Sequence, residues 1–274
     1  MKKMLITDDD ISNITLDIKK FIPLKNIAKK YNICYGTLKK ILKSKNISLE
    51  IREESANWFL TKPSSELLYF WGFILGDGCL TKDNGLHISL DVKDKIILER
   101  FCDWLGYPKN RIKENLRIRK DRKKNKEITV TLCLYNKNII NNATKYGIIL
   151  NKTNFPILPN LSKEEIIPFL IGLIDADGHV KYQSTRISGK RIRKDNVISI
   201  VGNNLIMDWV ISCFKILNFN SKIHCVHVRN SKRISIFKKE DVIKLSKILN
   251  IKENYKFALS RKWFSIYEYL IQTK

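Results

Sequence analysis

The sequence predicts an α+β protein of two pseudo-symmetric halves, each ordered αββαββα, behind a small all-α unit. Three observations carry this. An apolar segment ending in an acid and a glycine occurs twice, at residues 69–78 and 168–178. Its acids, Asp77 and Asp177, stand 100 residues apart, and the helix-period and strand-period segments after each come in the same order. Ahead of both copies, residues 1–55 show only the helical period. The chain therefore divides into 1–55, 56–160 for the first half and 161–274 for the second.

Each element has a local reason. Leu24, Ile27, Ala28 and Tyr31, then Leu38, Ile41 and Leu42, keep the 3.6-residue period on either side of Asn32, which tolerates the positive φ of a turn. Two helices meeting at a turn follow, with the small Ala28 where they cross. The second starts near Tyr35 and presents Thr37, Lys39, Lys40 and Lys43 outward. Residues 45–62 read as a linker. Ser64 is the expected N-cap of the first apolar helix. Residues 86–91 alternate as a half-buried strand with His87 on its polar side, and 94–105 form an amphipathic helix with Ile96, Ile97, Phe101, Trp104 and Leu105 on one face. Strands at 112–118 and 127–134 flank a basic tip, and a helix over 136–147 closes at Gly147. Ser162 and Glu165 form a capping box ahead of the second apolar helix, which Pro168 is expected to restart or kink. Strands near 179–187 and 197–201, a helix over 204–217, strands near 222–229 and 233–237, a helix over 239–249 and a closing helix near 262–271 complete the repeat.

Composition narrows the partner. The 274 residues are 44% hydrophobic, enough for a substantial core. No uncharged apolar run reaches the ~18 residues of a membrane span, and the first residues hold no signal-peptide stretch. Six cysteines without a C-x-x-C pair read as scattered reduced thiols. The net charge of +24, from 51 basic and 27 acidic residues, points to a polyanion, most simply nucleic acid. A membrane surface fits less well, because the charge is not gathered on one amphipathic helix. Residues 111–126 hold nine basic and two acidic side chains. Such runs are often only solvated faces, but a hairpin tip favours phosphate contact. The expected contacts are Arg117, Arg119, Arg122, Lys123 and Lys124 there; Lys181, Arg186, Lys190, Arg191, Arg193 and Lys194 about the next hairpin; and Arg229, Lys232 and Arg233 about the last.

The repeated helix raises a chemical question. Gly72 and Gly76, and Gly172 and Ala176, lie four residues apart on one helix face. Small residues at that spacing let two backbones approach closely. Packed through those faces, the helices bring Asp77 and Asp177 side by side at their C-termini, where the dipole already disfavours negative charge. A bound cation is the simplest offset. The glycine after each acid is expected as a left-handed cap.

Residues 170–178 read LIGLIDADG and residues 70–78 read FWGFILGDG. They resemble the two signature helices of monomeric LAGLIDADG homing endonucleases, and the resemblance extends over about residues 64–265. Trp71 stands where a small residue is usual, and Leu75 where the family's first acid would be. The family's catalytic acid, the last before glycine, is present in both copies. The N-terminal helix pair resembles a helix-turn-helix. The resemblance implies two sheets forming a DNA-binding saddle, with Asp77, Asp177 and the carbonyls of Gly76 and Ala176 binding two or three Mg²⁺ or Mn²⁺ ions. It implies one active-site lysine in each half. Lys152 follows Asp77 by 75 residues and Lys256 follows Asp177 by 79, which favours Lys256 over Lys262. The implied function is double-strand DNA cleavage leaving short 3′ overhangs, by a monomer in a phage-infected or bacterial cytoplasm or in an organelle. High Ile, Asn and Lys content points to an A/T-rich genome. Three alternatives stay open: an RNA splicing maturase that binds intron RNA, a DNA-binding regulator without cleavage, and an intein. The last is disfavoured, lacking an initial Cys or Ser and a terminal His-Asn.

Overall fold

The computed structural model describes residues 6–20, 22, 24–47, 63–82, 85–118, 126–135, 137–152, 157–188, 191–228 and 231–273. Its first unit contains α1 (Asp8–Lys19), α2 (Leu24–Lys30) and α3 (Tyr35–Ser44). Thr7 and Asp10 cap α1 reciprocally. Ile14, Ile18, Ile27, Ala28, Leu38 and Leu42 form a core of their own. Asn32, between α2 and α3, takes φ 51°, as the turn requires.

The first half runs α4 (Ser65–Asp77), β1 (Gly78–Leu80), β2 (Gly85–Asp91), α5 (Lys95–Leu105), β3 (Lys113–Ile118), β4 (Lys126–Tyr135) and α6 (Lys137–Ala143). The second runs α7 (Lys163–Asp177), β5 (Gly178–Ser188), β6 (Arg191–Asn203), α8 (Asn204–Ile216), β7 (His224–Val228), β8 (Ser231–Ile236), α9 (Lys239–Ile248), α10 (Ile251–Asn254) and α11 (Ser260–Gln272). The sheets are ordered β1-β2-β4-β3 and β5-β6-β8-β7, antiparallel throughout, so both halves show the expected order. The second strand of the β5–β6 hairpin, expected near 197–201, begins earlier and takes in basic residues from 191 on. β6 starts at Arg191, and its ladder pairs Arg193 with Arg186. Cross-strand backbone bonding there outweighs the charge density.

Each sheet has one face in the core. Leu86, Ile88, Leu90, Val130, Leu132 and Leu134 are buried in the first, and Val180, Ile198, Ile200, Ile234 and Ile236 in the second. Alternation sends His87, Ser89 and Asp91, and likewise His179, Lys181 and Arg233, to the opposite face. α4 and α7 lie at the centre of the single core that both halves share. Leu67 to Leu75 of α4 are all buried, as a helix apolar on every side should be. Each large side chain so buried contributes about 1.5–3 kcal/mol.

The two central helices touch backbone to backbone. A Cβ on Gly72 would lie 1.9 Å from the Phe169 carbonyl oxygen, and one on Gly172 would lie 2.1 Å from that of Tyr69. These contacts repeat under the 100-residue shift. Two expectations need correction. Gly78 and Gly178 are extended (φ −85° and −96°), not left-handed. The chain leaves each helix directly into a strand, and a Cβ there would come within 2.5 Å of Ile74 or Ile174. The glycine is therefore required by space. Pro168 neither restarts nor ends its helix. The Ser162–Glu165 box already starts α7, which runs through the proline to Asp177.

Candidate active site at the paired helix ends

The glycine-lined contact fixes where the acids go. Gly76 packs so closely on α7 that a Cβ would fall 2.4 Å from Ala176 Cβ and 3.1 Å from Asp177 Oδ2. Asp77 and Asp177, one residue further along each helix, share that end of the pair. Both reach solvent, yet protein atoms crowd them. Burial pushes the Asp77 carboxyl up to about 6, and Asp177 adds to the rise while Lys262 and Lys152 oppose it. Burial also raises Asp177, opposed by the same two lysines.

Lys152 stands over the end of α4. Its Nζ donates to the carbonyls of Ile74 (2.7 Å), Leu75 and Gly76 (3.0 Å). Lys262 does the same for α7, donating to Ile174 (3.0 Å), Asp175 (2.6 Å) and Gly178 (2.6 Å). Part of the cationic offset that the helix ends need comes from these ammonium groups. Burial lowers Lys152 to about 8 and also lowers Lys262, while the two signature carboxylates raise Lys152.

Lys256, favoured by spacing, is elsewhere. Its exposed side chain approaches Glu66, 4.0 Å away at the opposite end of α4. Equal spacing assumed equal halves, but the second half carries the longer α9 and then α10, which displaces the counterpart to residue 262. Sequence reasoning also missed Asp175. It is buried and accepts from Tyr69 Oη (2.8 Å), the Leu259 N–H (2.6 Å) and Trp263 Nε1 (2.7 Å). Burial drives its carboxyl up to about 6, against those hydrogen bonds. An acid inside an apolar helix with no partner nearby in sequence was the available signal.

The other expected residues fall into groups. Thr37, Lys39, Lys40 and Lys43 are exposed on α3, where Thr37 also meets the capping Cys34 at 2.9 Å. Lys181, Lys194 and Arg233 are exposed. Arg117 pairs with Glu127 in the β3–β4 ladder, and Arg186, Arg191 and Arg193 lie on the arms of the β5–β6 hairpin. Arg119, Arg122, Lys123, Lys124, Lys190 and Arg229 lie outside the described residues. Lys232 is a correction. Alternation places it on the core side with Ile234 and Ile236, and its ammonium bonds to Asp208 of α8, which removes it from the outward face.

Among the described residues, no three His, Cys, Asp or Glu side chains gather to hold a metal. The donor set at the helix ends is two carboxylates with neighbouring carbonyls, of which Gly76 O already accepts from Lys152. That set suits a cation completed by water and substrate oxygens, as Mg²⁺ usually is. No described helix is long and apolar enough to cross a membrane.

No protein-family model matches the chain, and no curated protein does. Solved structures similar to it are LAGLIDADG proteins. The I-SmaMI LAGLIDADG homing endonuclease bound to cleaved DNA aligns with a TM-score of 0.48 at 14% identity, over 73% of this chain and 86% of that one. The LAGLIDADG meganuclease I-AabMI bound to uncleaved DNA aligns at 0.45 and 16%, over 75% and 91%. The N-terminal LAGLIDADG domain of DUF199/WhiA aligns at 0.44 and 19%, over 73% and 88%. At these values the likenesses carry no chemistry, which rests on the residues at the helix ends.

Proposed function

We propose that this chain is a site-specific endonuclease of double-stranded DNA, hydrolysing one phosphodiester on each strand and leaving short 3′ overhangs. One observation carries the reading: two carboxylates meet at two helix C-termini, against the helix dipoles and their mutual repulsion, with a lysine ammonium over each helix end. Asp77 and Asp177 would hold Mg²⁺ or Mn²⁺, with the Ala176 and Gly76 carbonyls beside them. Such an ion would lower the pKa of a bound water, so that it can lose a proton and serve as the nucleophile, and would offset the negative charge that develops on the phosphate. Lys152 and Lys262 add fixed positive charge where negative charge grows on the phosphate. The outward sheet faces, with Ser89 and Thr131 in one and Lys181, Ser199 and Arg233 in the other, present every second side chain to base edges in the major groove. The hairpin arms grip phosphates, and α3 enters a groove as the second helix of a helix-turn-helix does.

The test is incubation of a randomised duplex library with Mg²⁺ beside Asp77→Asn and Asp177→Asn, with the ends sequenced. Discrete ends with short 3′ overhangs, absent from both variants, are expected. Enriched binding without cut ends would overturn the reading in favour of a DNA-binding regulator. One observation favours that second reading: both lysines are already occupied as caps on helix-end carbonyls. Preference for RNA over DNA at fixed salt would instead indicate a maturase.

A further inference from the structure

The segment that carries Lys262 is held from the other half of the molecule. Arg100 of α5 donates through Nη1 to the carbonyls of Phe257 and, at 3.5 Å, Ala258. Arg261, in the first turn of α11, pairs its guanidinium with Asp94 at two points. Nε meets Oδ1 at 2.5 Å, and Nη2 meets Oδ2 at 2.6 Å. Asp94 precedes α5, and only 12% of its side chain is exposed. The next residue after Arg261 is Lys262. On the other side Asp175 of α7 accepts the Leu259 N–H and the Trp263 indole. Residues 257–263 are thus pinned between α7 of their own half and two side chains of the first half. Lys152 is placed differently. It lies in a turn after α6 and caps α4, all within the first half.

We propose that Asp94 and Arg261 form a clamp across the halves that positions Lys262, which makes the two cutting centres unequal. The inference rests on the nuclease reading. A two-point guanidinium–carboxylate pair fixes direction as well as distance. Lys262 follows directly on the clamped residue, so a shift of the guanidinium moves its ammonium along α7. Displacement of a reacting group by 1 Å costs roughly 10²-fold in rate. Loosening the clamp therefore slows the cut that Lys262 serves and spares the one that Lys152 serves, and nicked DNA accumulates.

The experiment uses a supercoiled plasmid carrying the site recovered from the library. Nicked and linear products are timed for the wild-type chain, Arg261→Lys, Asp94→Asn, the double variant and Lys262→Ala. The expected result is a nicked intermediate with the same strand intact in all four variants. Its second cut is slowed roughly ten- to a hundred-fold in the clamp variants, while affinity for the site stays near wild type and Arg261→Lys, which keeps its charge, melts near wild type. The double variant should be no slower than the slower single one, as members of one unit behave. A wild-type chain that cuts, with clamp variants that slow both strands equally or neither, overturns the clamp and leaves the nuclease standing. A wild-type chain that makes no cut removes the nuclease reading, and the proposal with it. If Asp94→Asn fails to fold, Arg261→Lys decides the matter, because that side chain is 45% exposed and keeps its charge.

Discussion

At the scale of single residues, the helix ends hold carboxyls at a cost in stability. Asp77 is held near 6 against an ordinary 3.8, and Asp175 likewise. A carboxyl raised on folding binds more protons in the folded chain between those values. Its contribution is therefore fully present below about 4 and is lost as pH rises through about 6. The metal-free protein should lose this part of its stability between pH 4 and 7, and Asp77→Asn should flatten the profile and raise the melting temperature at pH 7 while abolishing cleavage. A melting series with and without Mg²⁺ checks both, and a variant that melts lower at pH 7 would contradict the assignment. Divalent-ion affinity should also weaken as pH falls through about 6, where protons compete for Asp77. The lysines give a sharper contrast. Lys262→Ala should slow cleavage of one strand roughly 10²–10³-fold, as removal of a charge-stabilising donor does, whereas Lys256→Ala should leave both rates within about twofold.

At the scale of elements, the helix pair is the least tolerant part of the molecule. A methyl on Gly72 has nowhere to go, because the nearest atom is backbone carbonyl of the facing helix. Gly72→Ala should cost about 1–3 kcal/mol or more by forcing the helices apart. Denaturant unfolding measures the loss, and a change within about 0.5 kcal/mol would mean that the two backbones do not touch at this residue. This part of the fold was legible in the sequence because it is local: small residues four apart, a capping box, alternation, a turn asparagine at residue 32. What the sequence concealed depends on the partner across the interface. Spacing alone could not find Lys262, because α10 adds length to one half only. Lys232 belonged to a basic hairpin by composition, and only the register of β8 turned it toward Asp208. The glycines after the acids were readable as helix stops, but their reason, the crowding by Ile74 and Ile174, required the path of the following strand.

At the scale of the whole molecule, charge and connectivity decide behaviour. With +24 net charge, DNA affinity should fall steeply with salt. Replacing Lys39, Lys40 and Lys43 by alanine should flatten log K against log salt by about 0.9 for each phosphate that α3 no longer neutralises, without abolishing cleavage. Titrations at several salt concentrations read the slope, and an unchanged slope would place α3 off the DNA. The tie between Asp175 and residues 259–263 has a consequence for synthesis. A ribosome that stalls shortly before residue 259 has already made both signature acids and most of the second half. It has not made the N–H, the indole and the ammonium that Asp175 and the end of α7 require. Such a fragment holds a carboxylate in its interior with most of its partners missing, which destabilises it by several kcal/mol. The junction between the halves is therefore complete only once residues 259–263 have been made.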